Sequence, residues 1–203
     1  MQPTVEFFFD YGSPFSYLAD TQLGSLSQRT GATLRYRPVL LGAVLKATAN
    51  SSPMAVPTKG AYMGRELERW AKRYGVPFAP NPFPFRSNTL RLMRGATASQ
   101  RLGTFEPYHR AVFDAAWGNP QDLGEETVFQ RLLVGAGIDP ERLLRAIDEE
   151  ETKTALRKTT DEAVERGVFG APTFFVGEEM FWGNDRLDWV EQALRRAAGR
   201  VPA

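Results

Sequence analysis

The chain has 203 residues, 42% of them hydrophobic, and a net charge of +1. That length suits one globular domain or a domain carrying a large insertion, and the near-zero charge gives no reason to expect a nucleic acid or an anionic membrane as partner. Cysteine is absent and His109 is the single histidine, so disulfides, a thiol nucleophile and a thiolate metal site are excluded, and neither a catalytic metal nor a Ser-His-Asp arrangement is expected.

An apolar, aromatic run over residues 5–9 predicts a buried strand. Asp10 to Gly12 supplies a turn, and Ser13-Pro14 opens a helix over 15–28, with Ser13 suited to the N-cap, Pro14 to the first helical position and Gly31 to the close. Residues 33–39 alternate as a second strand, which makes a βαβ unit with parallel strands and a right-handed crossover. A short helix is expected over 40–46, a loop over 47–58 and a strong amphipathic helix over 59–74. Residues 78–86 hold three prolines and three phenylalanines and predict an ordered aromatic loop. Helices follow over 87–102, 106–117, 125–136, 139–147 and 149–166. Residues 168–177 then predict a strand entered through Ala171-Pro172, with a hairpin partner over 178–182 and a last helix over 186–198.

The order β-α-β, helices, α-β-β-α predicts an α/β thioredoxin-like fold with an all-helical domain inserted after the second strand. The expected division is 1–45 with 149–203 for the discontinuous thioredoxin-like domain, and 46–148 for the helical insertion. No run approaches the roughly 18 apolar residues of a membrane-spanning helix, and the first residues show no basic start followed by an apolar segment, so the expected location is cytoplasmic.

Ser13-Pro14-Phe15-Ser16 has the form of a Cys-x-x-Cys motif with hydroxyls in place of thiols. A helix N-terminus stabilises an anion, and in Cys-x-x-Cys proteins that anion is the first sulfur. Here the position suits a thiolate and contains none, so the thiolate would arrive on a ligand, glutathione being the obvious candidate. The plainer reading makes Ser13 an ordinary N-cap and Ser16 a first-turn serine. Ala171-Pro172-Thr173, placed by the fold beside that helix start, reads as a cis-proline loop able to pair its backbone with an extended ligand, or else as a plain helix stop.

The segments Phe9-Asp10-Tyr11-Gly12-Ser13-Pro14-Phe15-Ser16-Tyr17-Leu18-Ala19, Tyr62-Met63, Leu67-Glu68-Arg69-Trp70 and Tyr74-Gly75-Val76-Pro77 occur in that order. They are followed by Asn88-Thr89, Val168-Phe169-Gly170-Ala171-Pro172-Thr173 and Trp182-Gly183-Asn184-Asp185-Arg186. Together they resemble the kappa-class glutathione transferases and, more closely, the bacterial 2-hydroxychromene-2-carboxylate isomerases, over nearly the whole chain. The resemblance implies that Ser13 binds the glutathione sulfur. A serine hydroxyl is far too weak an acid to ionise near pH 7, so it would donate a hydrogen bond to the thiolate.

The resemblance further implies that Asn50 and Lys59 hold the glutathione backbone and glycyl carboxylate, with Ala171 and Pro172 beside the cysteinyl unit. Many members carry Gly before the Asn50 position, where this chain has Ala49. Trp182, Asn184 and Asp185 would meet the γ-glutamyl end, though Asn184 or Asp185 is also a good N-cap for the last helix. Lys46 would contact a substrate carboxylate, with Arg86 and Asn88 bordering the same pocket. Phe83, Phe85 and Trp117 would line an aromatic site or simply pack in the core. The implied activity is glutathione-dependent interconversion of 2-hydroxychromene-2-carboxylate and trans-o-hydroxybenzylidenepyruvate, a step of naphthalene-type degradation, carried out by a homodimer on a small aromatic substrate. A kappa-like transferase or peroxidase is the alternative, and a non-catalytic glutathione-binding protein is a third.

Overall fold

The computed structural model describes residues 2–83 and 89–199. Strand β1 (Thr4–Phe9) runs into helix α1 (Pro14–Thr30) and strand β2 (Thr33–Pro38). Seven helices follow: α2 (Leu41–Ala47), α3 (Pro57–Tyr74), α4 (Thr89–Leu102), α5 (Phe105–Phe113), α6 (Glu126–Gly135), α7 (Pro140–Asp148) and α8 (Glu150–Glu165). Strands β3 (Thr173–Val176) and β4 (Glu179–Trp182) and helix α9 (Leu187–Ala197) complete the described chain. The sheet order is β2-β1-β3-β4, with β1 parallel to β2 and antiparallel to β3, and β3 antiparallel to β4. This is the expected thioredoxin-like α/β arrangement.

Both faces of the sheet are buried, which is why β1 reads as a continuous apolar run. Phe7 stacks on Phe9 and Phe174 on one face, at 5.3 and 5.2 Å between ring centroids. That core continues without a break through Tyr108, Phe113 and Phe129 to Leu143 on α7. Phe8 and Phe175 lie on the other face, under Val44 of α2 and Ala163 of α8. At the rim of this second face Glu6 accepts from Arg37 at 2.6 Å and Arg166 at 2.8 Å, and both guanidiniums lie over the Phe8 ring.

Most predicted boundaries shift by one or two residues, but three differences have a physical cause. The 47–58 segment is not all loop: it contains a 3-10 turn, Pro53–Ala55, and α3 starts at Pro57, whose missing N–H suits the first helical position. The helix expected over 106–117 gives way after Phe113 to one π-helical turn, Asp114–Gly118. There the carbonyls of Ala115, Ala116 and Trp117 accept from Gln121, Asn81 and Ala79 instead of from their own helix. The strand expected over 168–177 begins only at Thr173, because residues 168–172 form the bend around Pro172.

Close approach decides one helix contact. A methyl group on Gly95 of α4 would stand 2.0 Å from the Tyr108 hydroxyl, which donates to the Leu92 carbonyl at 2.8 Å. A glycine-to-alanine change inside a helix is ordinarily stabilising by about 1 kcal/mol. Here Gly95→Ala should instead cost about 2 kcal/mol through overpacking, read as a lower urea midpoint with an unchanged slope; a midpoint at or above the parent's would show that Tyr108 moves aside freely.

Candidate functional site

The candidate site forms where β1 ends and β3 begins. These strands are central neighbours and antiparallel, with Phe8 opposite Thr173, so the turn leaving β1 meets the bend entering β3. Ser13 caps α1 from an extended backbone (φ −98°, ψ 110°), and its Oγ accepts from the Ser16 N–H at 3.1 Å. The same hydroxyl donates to the Ala171 carbonyl at 2.9 Å, and the Ala171–Pro172 bond is cis. The first turn of α1 carries no acid, so its partial positive charge is not offset there. Ser16 lies wholly inside, and its hydroxyl has no hydrogen-bond partner among the described residues.

The turn is held from beneath by groups whose part the sequence reading did not assign. Asp10 is 3% exposed; its carboxylate accepts from the Gly12 N–H and, across the site, from the Leu41 N–H at the start of α2, both at 2.8 Å. Burial pushes this carboxyl up to about 6, against the pull of those two N–H groups. The Tyr11 hydroxyl is hydrogen-bonded to His109 Nδ1 at 3.0 Å, while His109 Nε2 faces Asp20 at 3.0 Å. Both ring nitrogens are thus taken, so His109 does not serve Ser13. Trp117 Nε1 donates to the Tyr11 carbonyl at 2.8 Å, and its ring lies parallel to Phe78, centroids 6.3 Å apart. An acid directly after a buried strand was the one sequence signal available for Asp10; the Tyr11, His109 and Asp20 contacts span up to 98 residues and leave no local pattern.

The structure brings Ser13, Ala171 and Pro172 together and sets Asn50 and Trp182 beside them. Asn50 donates through Nδ2 to the Phe169 carbonyl at 3.0 Å, and Trp182 packs against the Phe169 ring at 4.9 Å and over Gly170. The Gly183 N–H donates to the Pro172 carbonyl at 3.0 Å, which places the Asn184-Asp185 turn at the edge of the same bend. Neither residue caps the last helix, which corrects the alternative expected for them. The cap of α9 is Arg186, without a side-chain bond; Asp185 pairs with Arg186 at 2.5 Å, and Asn184 is buried against the Tyr74 hydroxyl. Both line a cleft between α1, α3 and α9 with Gln22, Trp70 and Tyr74. Lys46 and Lys59 are exposed on α2 and in the first turn of α3, with no ion pair among the described residues and no described contact to the Ser13 turn. Arg86 and Asn88, and with them Phe85, lie outside the described residues.

Ala49 explains how Asn50 reaches the bend. The Asn50 N–H bonds back to the Leu45 carbonyl at 2.9 Å and the Ala49 N–H to Lys46 at 3.4 Å, a Schellman-type close of α2 with Ala49 at φ 51°. Among the described residues it is the one non-glycine with positive φ.

A family model described as "DSBA-like thioredoxin domain" matches residues 4–195. The 2-hydroxychromene-2-carboxylate isomerase of Sphingobium xenophagum is 34% identical over 196 residues, covering 96% of this chain and 99% of that protein. Glutathione S-transferase kappa 1 of Rattus norvegicus is 29% identical, covering 98% of this chain and 94% of that protein. A solved structure of a 2-hydroxychromene-2-carboxylate isomerase superposes with a TM-score of 0.87 at 33% identity, covering 98% of this chain and 100% of the other.

Two stability predictions follow from this geometry. An alanine in the left-handed region costs about 1 kcal/mol or more, and glycine gives back part of that through its freer unfolded chain, so Ala49→Gly should gain about 0.5 kcal/mol in urea unfolding; a loss would mean the turn is not strained. The folded chain binds the Asp10 proton more tightly than the unfolded chain, whose carboxyl stays near 3.8. The stability this proton contributes is complete below that value and lost as pH rises through about 6. Asp10→Asn lacks it, so the wild-type advantage over the variant should shrink by up to about 3 kcal/mol between pH 4 and 7; a pH-independent difference would contradict the raised value.

Proposed function

The chain belongs to the DsbA-like thioredoxin family and, within it, to the 2-hydroxychromene-2-carboxylate isomerases, and on that footing we propose that it is a glutathione-dependent isomerase. It would interconvert 2-hydroxychromene-2-carboxylate and trans-o-hydroxybenzylidenepyruvate. The observation that carries this reading is the Ser13 hydroxyl at the start of α1, 2.9 Å from the carbonyl before a cis proline, in a chain with no cysteine. A position built like the thiol end of a Cys-x-x-Cys helix, but carrying a hydroxyl, suits a sulfur brought by a ligand.

The donor set fits glutathione. Ser13 would donate to the sulfur, and the Ala171 backbone would pair with the cysteinyl unit as one strand adds to another. Lys59 would hold the glycyl carboxylate: it is a cation in a helix's first turn, where the dipole favours acids, and it has no ion pair among the described residues. Asn50 would hold the peptide backbone. Trp182, Asn184 and Asp185 would hold the γ-glutamyl end, with the Asp185 carboxylate facing its ammonium group. When bound, glutathione would supply a nucleophilic thiolate suited to reversible addition at the conjugated carbon of an unsaturated keto acid.

Each residue then has one task. Ser13 and the α1 N-terminus keep the sulfur ionised near neutral pH. Lys46, exposed on α2, would anchor the substrate carboxylate and so orient the reacting carbon. Arg86 and Asn88, outside the described residues, are proposed to border the same pocket. The reading carries with it the family's setting, a cytoplasmic homodimer in naphthalene-type degradation. A kappa-like transferase or peroxidase is the second reading, supported by the 29% identical kappa relative.

The test is the ultraviolet time course of 2-hydroxychromene-2-carboxylate with the protein and catalytic glutathione. Equilibration should be fast, require glutathione and leave its concentration unchanged. Ser13→Ala should slow it about 100-fold, the usual loss for one donor to a developing or resident anion. No acceleration over glutathione alone would overturn the isomerase reading, and steady consumption of glutathione would favour the transferase.

A further inference from the structure

The Ser13-Pro14-Phe15-Ser16 turn has an unmatched donor and an unmatched acceptor on the same helical turn. A hydroxyl offers one proton and two lone pairs. Ser13 gives its proton to the Ala171 carbonyl at 2.9 Å and fills one lone pair with the Ser16 N–H at 3.1 Å. One lone pair on Ser13 Oγ is left. Ser16 is 0% exposed, and its hydroxyl proton meets no partner among the described residues. A buried hydroxyl without a partner is uncommon, since it loses its water and regains nothing. The residue that follows three later on a helix is a side-chain neighbour, and here its backbone N–H already reaches Ser13 Oγ.

Resting on the glutathione reading above, we propose that Ser16 is a positioning residue acting through Ser13: when Ser13 turns its proton from Ala171 to a ligand sulfur, the Ser16 hydroxyl donates to the remaining lone pair of Ser13 Oγ. No covalent bond breaks and no proton changes owner. The Ser13 hydroxyl rotates away from Ala171, and the Ser16 side chain, unpartnered among the described residues in the ligand-free protein, turns its hydroxyl onto Ser13 Oγ. The chain Ser16 O–H to Ser13 O–H to thiolate strengthens the outer bond, because a hydroxyl that accepts becomes a better donor. The ligand's own amide N–H can take up the Ala171 carbonyl that Ser13 leaves. In the ligand-free protein the cost of the arrangement is the unmatched Ser16 hydroxyl.

The test is a pH titration of bound glutathione by thiolate absorbance near 240 nm, in the wild type, Ser16→Ala, Ser13→Ala and the double variant, with thermal unfolding of each ligand-free protein. Ser16→Ala should move the bound thiol's midpoint up by about half a pH unit, the scale of one neutral hydrogen bond. In the Ser13→Ala background it should add nothing, because the two hydroxyls act in series. Without ligand, Ser16→Ala should raise Tm by about 2–4 °C, since it removes a buried unmatched group. A midpoint unmoved by Ser16→Ala, or moved equally in both backgrounds, overturns the relay while the lowered wild-type midpoint and its loss in Ser13→Ala leave the glutathione reading standing. A wild-type protein that binds no glutathione, or binds it with an unshifted thiol, overturns both.

Discussion

A single hydrogen bond, from Ser13 Oγ to the Ala171 carbonyl, joins two stretches 158 residues apart, and the candidate site is assembled around it. The bond exists because β1 and β3 are adjacent and antiparallel. Antiparallel pairing sets the end of one strand beside the start of the other, so the turn after Phe9 and the bend before Thr173 must meet. The paired phenylalanines of the two strands, buried on both faces, give that register its strength. A slip of one residue would turn Phe7 and Phe174 toward the wrong layer and carry Ala171 away from Ser13.

Around this contact the chain repeatedly departs from local preference. Asp10 is an acid placed in the interior, Ala49 takes a left-handed backbone, Ser16 keeps an unmatched hydroxyl, and Lys59 puts a positive charge at the positive end of a helix. Each costs stability on its own. The first three gather at one end of the sheet, while the rest of the core is ordinary aromatic and aliphatic packing. Local conflicts of this kind concentrate where structure serves a ligand, and each of the four has a task in the proposed site: holding α2 to the Ser13 turn, aiming Asn50, supporting Ser13, and meeting a carboxylate.

The rest of the turn's rigidity comes from aromatic groups on distant helices. Tyr11 is gripped by His109 through its hydroxyl and by Trp117 through its carbonyl. His109 in turn sits among Phe9, Tyr36, Phe105 and Phe113, with ring centroids 4.8 Å away in each case. The helices between β2 and β3 therefore do more than cover the sheet: they fix the backbone two residues before Ser13. The π-helical turn is part of this, since it frees the Trp117 and Ala116 carbonyls to hold residues 79–81.

The sequence alone determined the elements whose cause is local or periodic. The apolar run of β1, the Ser-Pro start of α1, the glycine close of α1 and the amphipathic α3 were legible because each rests on neighbours a few residues away. The Ser13 and Ala171-Pro172 pair was legible only after the fold order had placed them together. The tertiary structure alone decided the rest: the π-helical turn, the late start of β3, the capping of α2 by Asp10 and the burial of Asn184 against Tyr74. In each of these a backbone or side-chain group takes a partner far along the chain, and such a partner is chosen by packing, which no local spacing records.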